Sequence, residues 1–598
     1  GITKQSFWFD EGWTSWAITR SWGEMFDLLA RDNHPPLYFV LLRLWASLLG
    51  QGDLSLRGFS LLCSVATVGV VVALGNLFSK EVGLVAGILA AFNPPLVIYA
   101  QEARMYSLVS LLIAVATYAL ARLLKDRSGR WLWAYSLSMT AALYTHHFAW
   151  LAFGAHILLS VLISRKDRAP VRAACLALVL YLPLLPFTRH QIAVARGMAW
   201  RPLTDVWYVP KDIWLFLNLG NGQARLLPTL GAALLTVTGF ALGWRRDTKS
   251  WALIVLAVSV PVIAIVAIQH VRSIYTDRYL LYLATFFCLL VALGASEIAK
   301  ILNQRRETFI LTILLMPLVI PMGAALYNYY AGYGPLKADW RAVAAHIEKT
   351  AQPGDALALV QSAPPFLHYY KGDLPWSAFP EISIEDYIVS EEKVASQLRK
   401  IAQRGLVVWW IGSGWELADP QNLVEAQLRE HGTYWDERWW HIPPFQSPIR
   451  VAAYVIEDTD FGPEPRASLS ANFGDQLELI GYHVQSERNA LYVAFWWRVL
   501  RQPERQYNAF VHLIDEEGNI ISQGDHVPLN AFYPIERWQP GQLWRDEHEI
   551  ELPHGMDAGQ ALRLRIGLSW GEKGKNQLPI KDTGANFLIL PVQKVISQ

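Results

Sequence analysis

Apolar residues run along the first 330 positions in blocks long enough to cross a lipid bilayer, which takes about 20 residues in a helix. The blocks fall at 56–78, 82–99, 104–124, 131–144, 148–163, 171–187, 227–244, 251–270, 278–297 and 308–327. They predict about ten spans, two of them short, and the 131–163 pair also reads as one long re-entrant unit. Asn93-Pro94-Pro95 breaks the second block, because proline interrupts the helical hydrogen-bond ladder.

The polar connections orient these spans. Basic residues occupy every second one: Lys80; Lys125, Arg127 and Arg130; Arg165, Lys166, Arg168 and Arg172; Arg245, Arg246 and Lys249; Lys300, Arg305 and Arg306. The positive-inside rule places these in the cytoplasm and the alternate loops outside. Segment 35–50 is apolar but too short, and parity makes it a helix lying in the outer interface. Residues 1–55 then form one outer loop, and a loop that begins outside implies a span before it. The same parity puts outside the Asp10-Glu11 loop, the 101–103 turn, His146-His147, segment 188–225, the stretch before Arg278 and everything after 327.

Beyond residue 335 the pattern changes. ADWRAVAAHIEKTAQPGDALALV and EEKVASQLRKIAQRGLVVWWIG each read as a helix, a turn and a buried strand. Helices alternating with strands predict a small α/β domain over 335–457. No glycine-rich phosphate loop follows either strand, which argues against nucleotide binding. From 466 to 598, ALYVAFWWRVL, NAFVHLIDEEGNIIS and LRLRIGLSW predict strands, with Glu517-Gly518-Asn519 as a hairpin turn and a β-sandwich as the fold. Its tryptophans are expected in the core rather than on a sugar-binding face.

Composition fits this division. The chain is 53% hydrophobic and 17% charged, with a formal net charge of +1, which excludes nucleic acid as a partner. The 26 tryptophans suit anchoring at a lipid interface. Cys63, Cys175 and Cys288 each lie in an apolar run without metal-ligand spacing, so they read as small buried residues.

Candidate chemistry gathers on the outer side. FWFDEGWTSW sets Asp10 and Glu11 among aromatic residues. DNHPPLYF follows Asp32 and His34 with two prolines that fix the entry into a helix; its N-terminus would favour a phosphate, unless a capping Asp or Asn is all it needs. QEARMYSL flanks a tight turn with Glu102 and Arg104 and continues to Tyr106; ionisable groups at a membrane edge are costly unless paired or functional. TDRYLLYL opens a span at Arg278, which either snorkels or clamps a phosphate bidentately. Arg189, Arg196, Arg201 and Lys211 are less specific candidates for the same task. His146 and His147 are adjacent on a helix and face different ways, but one of them with a carboxylate is the candidate for a divalent metal.

Taken in order, the acidic pair, His-Pro-Pro-Leu-Tyr, Gln-Glu-Ala-Arg-Met-Tyr and Arg-Tyr-Leu resemble bacterial glycosyltransferase family 39. These are GT-C membrane enzymes similar to the protein O-mannosyltransferases and the lipid A aminoarabinose transferase. The resemblance implies a polytopic α-helical catalytic domain over 1–330, followed by extracytoplasmic α/β and β-sandwich domains, in a bacterial plasma membrane. It implies transfer of a sugar from a polyprenyl-phosphate carrier to a lipid, glycan or protein acceptor. Asp10 is then the general base, and Glu11 orients Asp10 or the acceptor. Arg278, Arg104 and His34 bind the donor phosphate, Glu102 holds Arg104, and Asp32 and Tyr106 support the site. A phosphate leaving group needs positive charge rather than a second, protonated carboxyl. Single displacement predicts inversion. This chemistry requires no cofactor, and the divalent metal just named is the one candidate. The competing class is a transporter or flippase for lipid-linked sugars, which predicts broken helices in matched pairs; only one break is visible.

Overall fold

The computed structural model describes residues 1–163, 167–195, 207–219, 226–331, 337–351, 355–382, 388–401, 407–440, 448–456, 467–487, 490–528, 535–538, 540–541, 543–553, 562–571 and 574–592. The chain forms two compact units, Gly1–Lys337 and Ala338–Gln598.

The first unit is all helix. Three short helices come first: α1 (Phe9–Thr19), α2 (Trp22–Arg31) and α3 (Leu37–Leu49). Then follow α4 (Asp53–Gly75), α5 (Lys80–Phe92), α6 (Pro94–Tyr99), α7 (Tyr106–Asp126), α8 (Gly129–Leu143), α9 (Ala149–Ile163), α10 (Ala169–Tyr181) and α11 (Leu185–Ala195). The last are α12 (Tyr208–Leu219), α13 (Leu226–Leu242), α14 (Thr248–Gln269), α15 (Leu283–Asn303) and α16 (Glu307–Ala331). Each of the expected spans has its helix. Five helical runs among the described residues are long and apolar enough to cross a membrane on their own: Asp53–Gly75, Tyr106–Asp126, Ala169–Ala193, Thr248–Gln269 and Leu283–Ala331. The chain is thus a multi-pass membrane protein. Helices α3 and α9 are apolar but shorter.

Local chemistry sets several boundaries. Ser21 and Glu24 form a reciprocal capping box at the start of α2. Asn93 ends α5 and caps α6 by accepting from the Leu96 N–H, while its amide donates to the Leu217 carbonyl. Two expectations shift. The span expected at 171–187 continues through a short 3-10 turn into α11, so Arg189 sits on a helix rather than in a loop. Cys175 is exposed on α10, while Cys63 and Cys288 are buried as expected.

Helix α15 is the most deeply enclosed, with an unbroken run of buried residues from Leu283 to Glu297. Its closest neighbour is α13. A Cβ on Gly294 would lie 1.8 Å from the Leu235 carbonyl oxygen, and one on Gly239 would lie 2.2 Å from that of Leu290. Only glycine permits this crossing, the usual device by which apolar helices pack without hydrophobic drive.

The second unit has two parts. The first contains α17 (Trp340–Thr350), β1 (Ala356–Val360), α18 (Ala363–Tyr369), β2 (Trp376–Phe379), α19 (Glu391–Ile401), β3 (Val407–Gly412), α20 (Leu423–His431), β4 (Gly432–Trp440) and β5 (Ile449–Ile456). Its sheet runs β2-β1-β3-β5-β4, with β1 parallel to β2 and β3, and β5 antiparallel to both neighbours. Apolar side chains fill both faces: Val343 and Ile347 pack on Leu357 and Trp409, and Val394 and Leu398 pack on Ala358 and Trp410.

The second part contains β6 (Ala467–Phe473), β7 (Leu477–Glu487), β8 (Ala490–Val499), β9 (Asn508–Ile514), β10 (Ile520–Gln523), β11 (Leu543–Glu551), β12 (Arg563–Trp570), β13 (Asn576–Gln577) and β14 (Leu588–Pro591). One sheet runs β11-β8-β7-β6; the other runs β10-β9-β12-β13, with β14 also on β12. Phe495 and Trp497 from the first meet Val511, Leu513 and Ile566 from the second in one core. Trp497 and Trp538 are fully buried, which places these tryptophans in the core. Gly518 takes φ +90° in the β9–β10 turn, a backbone that glycine adopts without strain.

Candidate active site

Asp10 and Glu11 lie in the first turn of α1, where the helix dipole favours negative charge. Successive helical residues point in different directions, and here the two acids separate completely. Asp10 keeps a quarter of its side chain exposed, whereas Glu11 has none.

Glu11 is saturated. It accepts from Arg57 Nε and NH2 at 2.8 Å each, from the Ala103 N–H at 2.8 Å and from Lys337 Nζ at 2.9 Å. Burial favours its neutral form, but the Lys337 and Arg57 charges outweigh that and hold the carboxyl well below its usual range. Arg57 also donates to the carbonyls of Ile2, Gln5 and Ser6. Glu11 fastens α1 to α4 and to the 101–104 turn, so any hold it has on Asp10 passes through the helix they share. The expectation that Glu102 holds Arg104 is corrected. The Glu102 carboxylate lies 3.0 Å from Lys337 Nζ, while the Arg104 side chain turns toward Asp10.

Asp10 faces two guanidinium groups. Its Oδ2 lies 3.5 Å from Arg278 NH2 and 3.8 Å from Arg104 NH2. Arg104 NH1 also donates to Thr14 Oγ1 at 3.0 Å and to the Asp10 carbonyl at 3.2 Å. Arg278 Nε donates to the Tyr106 hydroxyl at 3.1 Å, and its guanidinium stacks 5.0 Å from the Trp8 ring. Burial lowers the pKa of each arginine, but Asp10 beside Arg104, and Tyr106 and Asp10 beside Arg278, push both above the ordinary value. Residues from three motifs distant in sequence thus meet around one carboxylate.

An aromatic wall stands next to it. The His34 ring is 5.4 Å from His146 and 6.0 Å from Tyr279; Tyr279 also contacts His146 at 4.9 Å and Phe148 at 5.0 Å. Burial, then Arg104 for His34 and the neighbouring His34 for His146, holds both imidazoles well below their usual pKa, so they are neutral. Asp32 is driven up to about 6 by burial, against the pull of Arg104. Its Oδ2 lies 3.4 Å from His34 Nδ1. Asp32 does not cap α3: Pro36 occupies that position without a side-chain cap, and Asp32 accepts instead from the Asn33 N–H. The Leu37 N–H at the start of α3 already donates to the Tyr144 carbonyl.

Several buried polar atoms here have no hydrogen-bond partner: Glu102 Oε2, Arg104 Nε, Asp32 Oδ2, His34 Nδ1 and His146 Nε2. Buried polar groups are usually satisfied, so this cluster is shaped to receive polar atoms. The metal candidates separate. His146 Nδ1 accepts from the Phe148 N–H, and His147 Nε2 pairs with Gln191 at 3.0 Å. Among the described residues neither joins a three-residue cluster of metal-ligand type. Arg189 and Lys211 are exposed; Arg196 and Arg201 lie outside the described residues.

Two partners escape sequence reasoning. Arg57 hides in the first apolar block, where an ionisable residue at a helix start was the only signal. Lys337 follows the last span and carries no signal at all.

The family model of dolichyl-phosphate-mannose-protein mannosyltransferases matches residues 33–188. That segment contains His34, Glu102, Arg104 and His146, but neither Asp10 nor Arg278. No curated protein sequence matches the chain. Two solved structures are similar over most of their length. Apo ArnT from Cupriavidus metallidurans matches with a TM-score of 0.53 at 13% identity, covering 74% of this chain and 93% of that one. ArnT from the same organism bound to undecaprenyl phosphate matches with a TM-score of 0.52 at 12% identity, covering 76% and 94%. The chain thus has the GT-C fold of the ArnT structures and resembles the protein mannosyltransferases in the segment that carries His34 and Arg104.

Proposed function

We propose that this protein is a membrane glycosyltransferase that moves a sugar from a polyprenyl-phosphate-linked donor to an acceptor on the outer face of a bacterial inner membrane. The observation that carries the reading is the Asp10 carboxylate set 3.5 Å from the guanidinium group of Arg278 and 3.8 Å from that of the buried Arg104. The mannosyltransferase description and the undecaprenyl phosphate bound to ArnT support the donor class.

Asp10 acts as the general base. It takes the proton from the acceptor hydroxyl or amine as that group attacks the anomeric carbon, and the configuration inverts. The departing phosphate gains charge, which Arg104 and Arg278 stabilise. Their attraction for Asp10 fixes them in place before the donor arrives. Neutral His34 and His146 offer hydrogen-bonding nitrogens, and Tyr106 holds the Arg278 guanidinium. Glu11 positions α1 without touching substrate. Residues 338–598 lie outside the cell on this reading and leave room for acceptor recognition.

The test is sugar transfer by the purified protein from a panel of synthetic polyprenyl-phosphate sugars, with native membrane extract as acceptor. Transfer that collapses in Asp10→Asn, while donor still binds, supports the assignment. Transfer that survives in Asp10→Asn removes Asp10 as base. Donor movement across reconstituted vesicles without transfer overturns the enzyme and leaves a flippase.

A further inference from the structure

The chemistry around Asp10 leaves a neighbouring group of polar atoms unused. Asp32 Oδ2, His34 Nδ1 and His146 Nε2 are buried without a hydrogen-bond partner, and their residues are only 7%, 5% and 3% exposed. The two segments that carry them are fastened together. The Leu37 N–H donates to the Tyr144 carbonyl at 3.0 Å. Gln191 on α11 donates to the carbonyls of Leu29 and His34 at 2.7 and 2.8 Å, and accepts from His147 Nε2 at 3.0 Å. One amide thus grips the chain on both sides of Asp32 and the residue after His146. The cluster is held in shape before any ligand arrives, which lowers the cost of binding one.

Its hydrogen-bonding character is mixed. The Phe148 N–H donates to His146 Nδ1 at 3.1 Å, so in the neutral ring the hydrogen sits on Nε2, which is a donor. Asp32 Oδ1 accepts from the Asn33 N–H at 2.6 Å, which leaves Oδ2 as an acceptor. His34 Nδ1, 3.4 Å from that oxygen, gives or takes a hydrogen bond according to its tautomer. A phosphate oxygen has only lone pairs to offer, and the Asp32 carboxylate repels it. A sugar hydroxyl both donates and accepts, so neighbouring hydroxyls suit neighbouring acceptors and donors. The charges point the same way. Arg104 acts on Asp32 and His34, and Asp10 and Arg278 act on His34. An ammonium group on the sugar meets the arginines there, and a carboxylate meets the two acids.

We infer that Asp32, His34 and His146 form the subsite for the donor's sugar, and that it takes an uncharged, hydroxyl-bearing sugar while Arg278 and Arg104 take the phosphate. The two subsites adjoin. Tyr279, next to Arg278 in the chain, packs on both imidazoles, and the Tyr106 ring lies 6.1 Å from His146 while its hydroxyl accepts from Arg278 Nε. This subsite rests on the glycosyltransferase reading, and it gives His34 to the sugar rather than to the phosphate.

The test is equilibrium binding of labelled undecaprenyl phosphate, bare or carrying an uncharged hexose, a hexuronate or an amino sugar, to the whole protein in detergent. A buffer at about pH 8 keeps Asp32, which titrates near 6, ionised. Wild type is expected to bind the hexose form more tightly than the others. Asp32→Asn exchanges a charged acceptor for a neutral one and is expected to lose roughly 5–10-fold for the hexose form. His146→Leu is expected to lose roughly 2–10-fold. Both variants should bind bare undecaprenyl phosphate as before, which also shows that they are folded. Arg278→Lys is expected to weaken every one of these ligands. Equal losses for the bare and hexose forms overturn the subsite, by giving the cluster to the phosphate or to the fold. Unchanged hexose binding in both variants overturns it too, and tighter binding of the hexuronate or the amino sugar overturns the uncharged class. Binding is read without turnover. A wild type that prefers the hexose form yet transfers nothing keeps the subsite and sinks the transferase, whereas transfer without that preference sinks the subsite alone.

Discussion

Two buried charge clusters stand in contrast. In the α/β part, Glu425 on α20 accepts from Arg450 NH1 and NH2 at 2.6 and 2.8 Å, from Arg429 at 2.6 Å and from the Tyr454 hydroxyl at 2.6 Å. Glu437 takes the remaining Arg450 donors at 2.9 and 2.6 Å. Glu425, Arg429, Glu437, Arg450 and Tyr454 have no buried side-chain polar atom without a partner. Around Asp10 the charges are more open: Asp10 and Arg278 each keep about a quarter of the side chain exposed, and Arg104 Nε and two imidazole nitrogens remain without partners. A closed network has no capacity left for a ligand and serves the fold. An open one costs stability and is retained where something else is to bind. The boundary passes between neighbouring residues: Glu11 belongs to the closed kind and Asp10 to the open kind.

Substitutions can break this contrast. The largest effect is expected at Asp10. Asp10→Asn should cut transfer by roughly 10²–10⁴-fold, the range for losing a general base, and destabilise less than loss of a fully buried acid does, because Asp10 is partly exposed; rate and melting temperature measured on one preparation check both halves. Next come Glu425→Gln and Glu11→Gln, each leaving a buried cation short of a partner. Both should lose roughly 3–5 kcal/mol in denaturant unfolding. If Glu11→Gln instead keeps its stability and loses only transfer, the two acids have been sorted wrongly. Arg278→Lys keeps the charge but not the planar fork, and should slow transfer by roughly 10²-fold, with Glu425→Gln protein as the structural control.

The smallest effect concerns pH. Asp32 titrates near 6 in the folded protein, up from an ordinary 3.8. The folded state therefore holds its proton longer than the unfolded state does. Stability contributed at this site is fully present below about pH 4 and is lost as pH rises through 6. Asp32→Asn should flatten the melting temperature between those values and leave it unaltered at the acid end. An equally steep pH profile in the variant would assign the slope to another group.

The helices were legible because their signal is local. Runs such as 108–121 and 251–268 are predominantly apolar and free of charge, and Asn93-Pro94-Pro95 announces its own break. The strands of 490–499 and 508–514 show in the same way. The site was legible as four separate motifs, since each carried an ionisable residue where lipid makes one expensive. Their wiring was not. Glu11 meets Arg57 across 46 positions and Lys337 across 326, and no pattern in the chain names such partners. Glu102 looked paired with Arg104 because they are near in sequence, but the turn sends them to different neighbours.

The glycine crossing of α13 and α15 has one more consequence. Gly294 and Gly239 bring two backbones together with no side chain between them to compress or turn, so the joint behaves as a fixed datum from which heights are measured. Arg278 precedes α15 at its upper end, and its depth relative to Asp10 is referred to that joint. A methyl group there would enter as an offset at the far end of the helix, so Gly294→Ala would misplace a guanidinium it never touches.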